Sequence, residues 1–149
     1  MTSLTTPTFA AEGLLARLKA NGIDYLFANG GTDFAPLIEG YANGMAKEMP
    51  MPVPIIVPHE TAAMGMAHGY YLATGRAQAV MVHVNVGLGN CVMGVINAAQ
   101  ENVPIVVMSG RTPLTEFSWM VSAWLITPEM NWLLTARMPA LPPIADTVL

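Results

Sequence analysis

The sequence predicts an α/β domain, a parallel sheet flanked by helices, followed by an irregular apolar C-terminal tail. Short apolar runs alternate with stretches of helical periodicity up to Pro113, the pattern of strand–helix repeats joined by right-handed crossovers. The run holding Val80, Val82 and Val84 is continuous and β-branched, as suits a strand covered on both faces. Glycine clusters punctuate the ends of the runs, at Gly30-Gly31 and at Gly87 and Gly89.

From Phe9 to Asn21, Leu14, Leu15 and Leu18 recur at helical spacing and Asn21-Gly22 supplies the stop. Ile23 to Ala28 reads as a strand ending in the turn Asn29-Gly30-Gly31. Asp33 is suited to cap a helix carrying Phe34, Leu37, Ile38 and Tyr41 on one side, broken by Gly44 and the prolines at 50, 52 and 54. Pro54 to Val57 is a brief apolar run, and a helix from Glu60 to Thr74 is closed by Gly75. Ala77 to Val86 reads as the next strand. Gly87-Leu88-Gly89-Asn90 then leads into a helix reaching about Glu101, and Val103 to Met108 gives the last buried strand. Beyond Phe117 the chain has no clear period, although it holds Trp119, Trp124 and Trp132, and an irregular apolar cover is expected there. The domain is therefore placed at residues 1–116 and a divergent tail at 117–149.

Composition narrows the function. A chain of 149 residues, 53% hydrophobic, accommodates one domain with a substantial core. With 11% charged residues and a net charge of -4 it carries no basic footprint, so nucleic acid is not an expected partner. No apolar run approaches the roughly 18 residues of a spanning helix, so no membrane partner is expected. The single Cys91 leaves no internal disulfide, and with no targeting segment visible at the N-terminus the expected location is cytoplasmic.

In open parallel sheets ligands sit at the carboxyl ends of the strands. That rule selects four junctions: Asn29 to Asp33, Pro58 to Thr61, His83 to Asn90 and Ser109 to Thr112. Glu60 stands at a helix start among Val57, Ala62, Ala63, Met64 and Met66, where burial raises a carboxyl pKa and the helix terminus lowers it; a group so balanced can exchange a proton. Gly30, Gly31, Gly87 and Gly89 are read as permitting tight strand-to-helix turns, and Asn90 as an N-cap. Gly65 and Gly69, beside Ala62 and Ala63, make a small-residue face that suits close approach of a second helix. No metal-ligand set is visible.

Pro58-His59-Glu60-Thr61-Ala62-Ala63, with Gly65, Ala67 and Gly69, resembles the helix of thiamine diphosphate enzymes of the acetolactate synthase, benzoylformate decarboxylase and pyruvate decarboxylase type. Three further stretches resemble the family in the same order: Phe27 to Thr32, His83 to Asn90, and Asn102-Val103-Pro104-Ile105 running to Gly110-Arg111-Thr112-Pro113. The resemblance implies the pyrimidine-binding domain of a 2-oxo acid decarboxylase or carboligase. It implies that Glu60 hydrogen-bonds a ring nitrogen of the cofactor's aminopyrimidine, and that Gly30, Gly31, Thr32, Gly87 and Asn90 lie near thiamine diphosphate. His83 and Thr32 match substrate-facing positions in benzoylformate decarboxylase.

The resemblance stops at about Glu116, and no Gly-Asp-Gly, the family's magnesium and diphosphate motif, occurs in these residues. Magnesium is therefore expected from a domain elsewhere, and the chain alone is expected to be inactive, the unpatterned tail being what a truncated gene or shifted frame would produce. The expected partners are a second copy, docked through the helix starting at Glu60, and a polypeptide carrying the diphosphate-binding domain. The alternative is a noncatalytic α/β dimerisation module. A dinucleotide-binding or flavodoxin-like domain is disfavoured because no Gly-x-Gly-x-x-Gly opens the first helix.

Overall fold

A computed structural model of the chain describes residues 6–111, 120–126 and 134–135. Helix α1 (Ala10–Ala20) buries Leu15 and Leu18 and leads into β1 (Tyr25–Asn29). A 3-10 turn over Thr32–Phe34 passes directly into α2 (Ala35–Ala46). Strand β2 (Val53–Ile56) precedes α3 (Glu60–Thr74), which ends on Gly75 in the left-handed conformation at φ 69°. Then follow β3 (Gln78–Val82), α4 (Val84–Gln100) and β4 (Ile105–Arg111).

The four strands β2-β1-β3-β4 are parallel neighbours in that order. Alternation within the strands sends side chains to two separate cores, one on each face. Leu26, Ala28, Ala79, Met81 and Met108 meet Leu15 and Leu18 from α1, Phe34 from the 3-10 turn and Leu37 from α2. Phe27, Val80, Val82, Ile105 and Val107 meet Ala63, Met64, Ala67, Cys91 and Ala98 from α3 and α4. β3 is buried at every position, as its continuous apolar run requires, whereas β2, with Pro54 inside it, is the largely exposed edge.

In the segment expected to be irregular, the backbone of β5 (Met120–Ile126) pairs antiparallel with β4 from Ile105↔Ile126 to Arg111↔Met120, and the two-residue β6 (Leu134–Thr135) pairs with β5. The rest of that segment, the boundary at residue 116 and Thr112 lie outside the described residues.

Four local expectations are corrected. The strand read over Ala77 to Val86 ends at Val82; Val84, Asn85 and Val86 open α4, so the Gly87-Leu88-Gly89-Asn90 stretch is helix and not a turn. Asn90 is consequently no N-cap; His83 occupies that position. Asp33 caps no helix, since α2 has no side-chain cap and the Asp33 carboxylate reaches across the sheet end instead. Ile38, expected on the buried side of α2, is 66% exposed.

Among the described residues no helix is long and apolar enough to cross a membrane.

Candidate functional site

Going from β2 to β3 the chain passes over β1, so the connections diverge on either side of β1, and the carboxyl ends of β1 and β3 are where an open parallel sheet of this order forms its ligand crevice. Two carboxylates tie the four junctions together there.

The first is Glu60, the opening residue of α3. Its helix is capped by His59, whose Nδ1 accepts the Thr61 N–H at 3.2 Å. The Glu60 side chain is only 12% exposed, and its Oε2 accepts from Asn90 Nδ2 at 3.1 Å. Gly87, one helical turn before Asn90, makes this burial possible: a Cβ there would stand 2.9 Å from the Val82 Cβ and 3.3 Å from Glu60 Oε1. The packing differs from the expected set in that Met66 is 43% exposed and Ala62 is also exposed, the cover coming from α4. The Glu60 carboxyl is held below its ordinary range, chiefly by the N–H of its own helix start, against the opposing effect of burial and with help from Asn90 and His59. Its charge also reaches Cys91, whose thiol is pushed up to about 11 by burial first and by Glu60 second.

The second is Asp33, in the 3-10 turn after β1, with a side chain 4% exposed. Its Oδ1 lies 2.6 Å from His83 Nδ1, while Oδ2 accepts from Val84 N at 3.3 Å and Gly110 N at 3.1 Å. Three junctions thus converge on one carboxylate. Two glycines make room: a Cβ on Gly31 would overlap the His83 ring, and one on Gly110 would overlap the Asp33 carboxylate. Val84 has φ 36°, a left-handed conformation that β-branched residues rarely adopt.

The glycines expected to serve tight turns work otherwise, because none of Gly30, Gly31, Gly87 and Gly89 has a positive φ. Gly31 and Gly87 serve close approach. A Cβ on Gly30 would make ordinary contact with the Phe34 ring at 3.6 Å, and one on Gly89 would meet nothing among the described residues within 4 Å. Thr32 is exposed, at the start of the 3-10 turn after β1, with no side-chain hydrogen bond among the described residues. His83 is half-buried, and its only protein partner among those residues is Asp33 through Nδ1. Asp33 itself was missed as a site residue; its position in the junction after β1 was the available signal.

Donor set and shape fit an aminopyrimidine. A shielded carboxylate offers a charged acceptor, and Gly87 leaves Oε1 without a covering side chain.

The sequence model described as "Thiamine pyrophosphate enzyme, N-terminal TPP binding domain" matches residues 9–131. The acetolactate synthase large subunit of Haemophilus influenzae is 31% identical over 101 residues, 68% of this chain and 17% of that protein. The benzoylformate decarboxylase of Pseudomonas aeruginosa is 30% identical over 94 residues, 63% of this chain and 16% of its own length. Among solved structures, the thiamine diphosphate-dependent 4-hydroxybenzoylformate decarboxylase of Rhodococcus jostii RHA1 superposes with a TM-score of 0.59 at 29% identity, over 71% of this chain and 19% of that one. The chain thus spans less than a fifth of each of these three relatives. With its parallel sheet and the glutamate at the head of α3, it belongs to the thiamine pyrophosphate enzyme family as an N-terminal cofactor-binding domain.

Proposed function

We propose that the chain is the cofactor-activating domain of a thiamine diphosphate-dependent 2-oxo acid decarboxylase or carboligase, inactive until a diphosphate- and magnesium-binding domain joins it. The observation that carries this reading is the Glu60 carboxylate, shielded from water by α4 and faced by a glycine. When bound, thiamine diphosphate supplies the carbon nucleophile and the electron sink for decarboxylation. Glu60 would hold a proton at the pyrimidine ring nitrogen, its orientation fixed by Asn90. Gly87 admits the ring, while Gly30, Gly31 and Thr32 form the opposite rim of the crevice, where Thr32 and His83 face the substrate.

A second copy of the chain is the proposed partner at α3. Gly65 and Gly69 have nothing among the described residues within 4 Å of a notional Cβ, and Met66, Val86, Met93 and Ile96 are 43%, 67%, 60% and 51% exposed along α3 and α4. Apolar stripes of this kind are expected at an isologous homodimer interface. Covering Glu60 there would dehydrate it further and move its pKa back toward the working range. The same stripes would serve a noncatalytic dimerisation module, which binds no cofactor.

Calorimetry with thiamine diphosphate and magnesium, with and without a diphosphate-binding partner domain, tests the reading. Heat is expected only with the partner present, and Glu60→Gln in that assembly should slow exchange of the thiazolium proton by about 10²–10⁴. Full-speed exchange in the variant would remove Glu60 from the mechanism.

A further inference from the structure

We propose that Asp33 is a positioning residue for His83: it fixes the imidazole with a proton on Nδ1, so that Nε2 is the nitrogen that exchanges a proton at the crevice. The inference rests on the reading of His83 as a substrate-facing group and adds the residue that aims it.

Every partner of Asp33 among the described residues is a donor. The Val84 and Gly110 amides donate to Oδ2, and a ring nitrogen 2.6 Å from Oδ1 must donate as well, because an ionised carboxylate only accepts. That places the ring proton on Nδ1. Nε2 has no protein partner among the described residues, and the His83 side chain is 38% exposed against 4% for Asp33. The buried end of the pair is fixed and the open end is free.

The surroundings are shaped for this pair and not for either residue alone. Gly31 leaves space for the ring and Gly110 for the carboxylate. The unusual φ of Val84 accompanies an amide turned toward Oδ2. The three groups come from the ends of β1, β3 and β4, which explains how residues 50 and 77 positions apart come to share one carboxylate.

The chemistry is a single proton transfer. The Nε2 lone pair accepts the proton of a substrate O–H, whose bonding electrons remain on oxygen, and the ring becomes an imidazolium; the reverse step returns the proton. Asp33 stays a carboxylate throughout and stabilises the cation. A hydroxyl or carboxyl group on a 2-oxo acid or its product is the chemical class served.

The test is ring ¹⁵N NMR of the full chain with labelled histidine at about pH 9, above the ordinary histidine range. The chain has three histidines, so His83→Gln assigns the signal. The wild-type ring is expected to carry its proton on Nδ1. In Asp33→Asn the two amides keep the side-chain oxygen, the NH₂ turns toward the ring, and the proton should move to Nε2; circular dichroism checks that the variant is folded. A wild-type ring protonated on Nε2, or a folded Asp33→Asn variant still protonated on Nδ1, overturns the proposal. If the variant does not fold, the wild-type spectrum decides. No cofactor is in the tube, so failed thiamine diphosphate binding would sink the proposed function and leave this result standing.

Discussion

Asp24 and Asp33 lie at opposite ends of the same sheet, and their carboxylates are held in opposite ways. Asp24, before β1, receives Lys19 at 3.0 Å, Arg76 at 2.7 Å and the Tyr70 hydroxyl at 3.1 Å. Next to it Gln78 Oε1 accepts the N–H groups of Asp24 and Tyr25 at 3.0 and 2.8 Å. Cations neutralise this end. Asp33 is met by two neutral amides and one imidazole, with glycines around it. A carboxylate enclosed by fixed cations locks strands together, whereas one held by amides keeps an oxygen available to a neighbouring ring.

Four experiments break or sharpen that contrast, from the largest expected effect down. Gln78→Ala should cost about 2–4 kcal/mol in urea unfolding, because two half-buried amides lose their shared acceptor at about 1 kcal/mol each and a cavity opens where the buried side chain stood. The His83 ring signal should be unchanged wherever the variant is folded. Gly31→Ala should cost about 1–3 kcal/mol by overpacking against His83, and it should also shift that signal. A ring indifferent to Gly31→Ala would separate the glycine from the pair.

The acid limb belongs to the amino end and to Glu60. The Asp24 carboxyl is lowered chiefly by Lys19, that of Glu12 chiefly by Lys47, and that of Glu60 by its helix start. A depressed folded pKa contributes stability that is fully present above the unfolded carboxyl range and is lost as pH falls through the folded value. Urea midpoints should therefore hold steady above about pH 5 and decline below it, and Asp24→Asn should start lower and decline less steeply. The smallest effect separates two glycines on one helix. Gly89→Ala, meeting nothing within 4 Å, should raise stability of the monomeric chain by about 0.5–1 kcal/mol through helix propensity, while Gly87→Ala should lower it by pressing on Val82 and Glu60.

The sequence was most legible where a signal is local. Helix α3 runs from Glu60 to Thr74 as its closing Gly75 implies, and Glu60 was singled out by its place at a helix start after an apolar run. The junction at His83 was misread because Val84 and Val86 extend a β-branched run, and short apolar runs do not distinguish strand from helix. Asn90 looked like a cap for the same reason, yet it serves a carboxylate 30 residues away. The partnership of Asp33 and His83 spans 50 residues and no local pattern encodes it. It depends on which strand ends meet, and therefore on the passage over β1.

The torsion at Val84 has a bearing on durability. A β-branched side chain at φ 36° stores on the order of 1–3 kcal/mol, which glycine would release. A Val84→Gly chain should survive more heat as long as the added freedom of the unfolded chain does not offset the relief, but its amide would wander from Asp33. The fold thus gives up some robustness at one peptide link in exchange for a well-aimed imidazole.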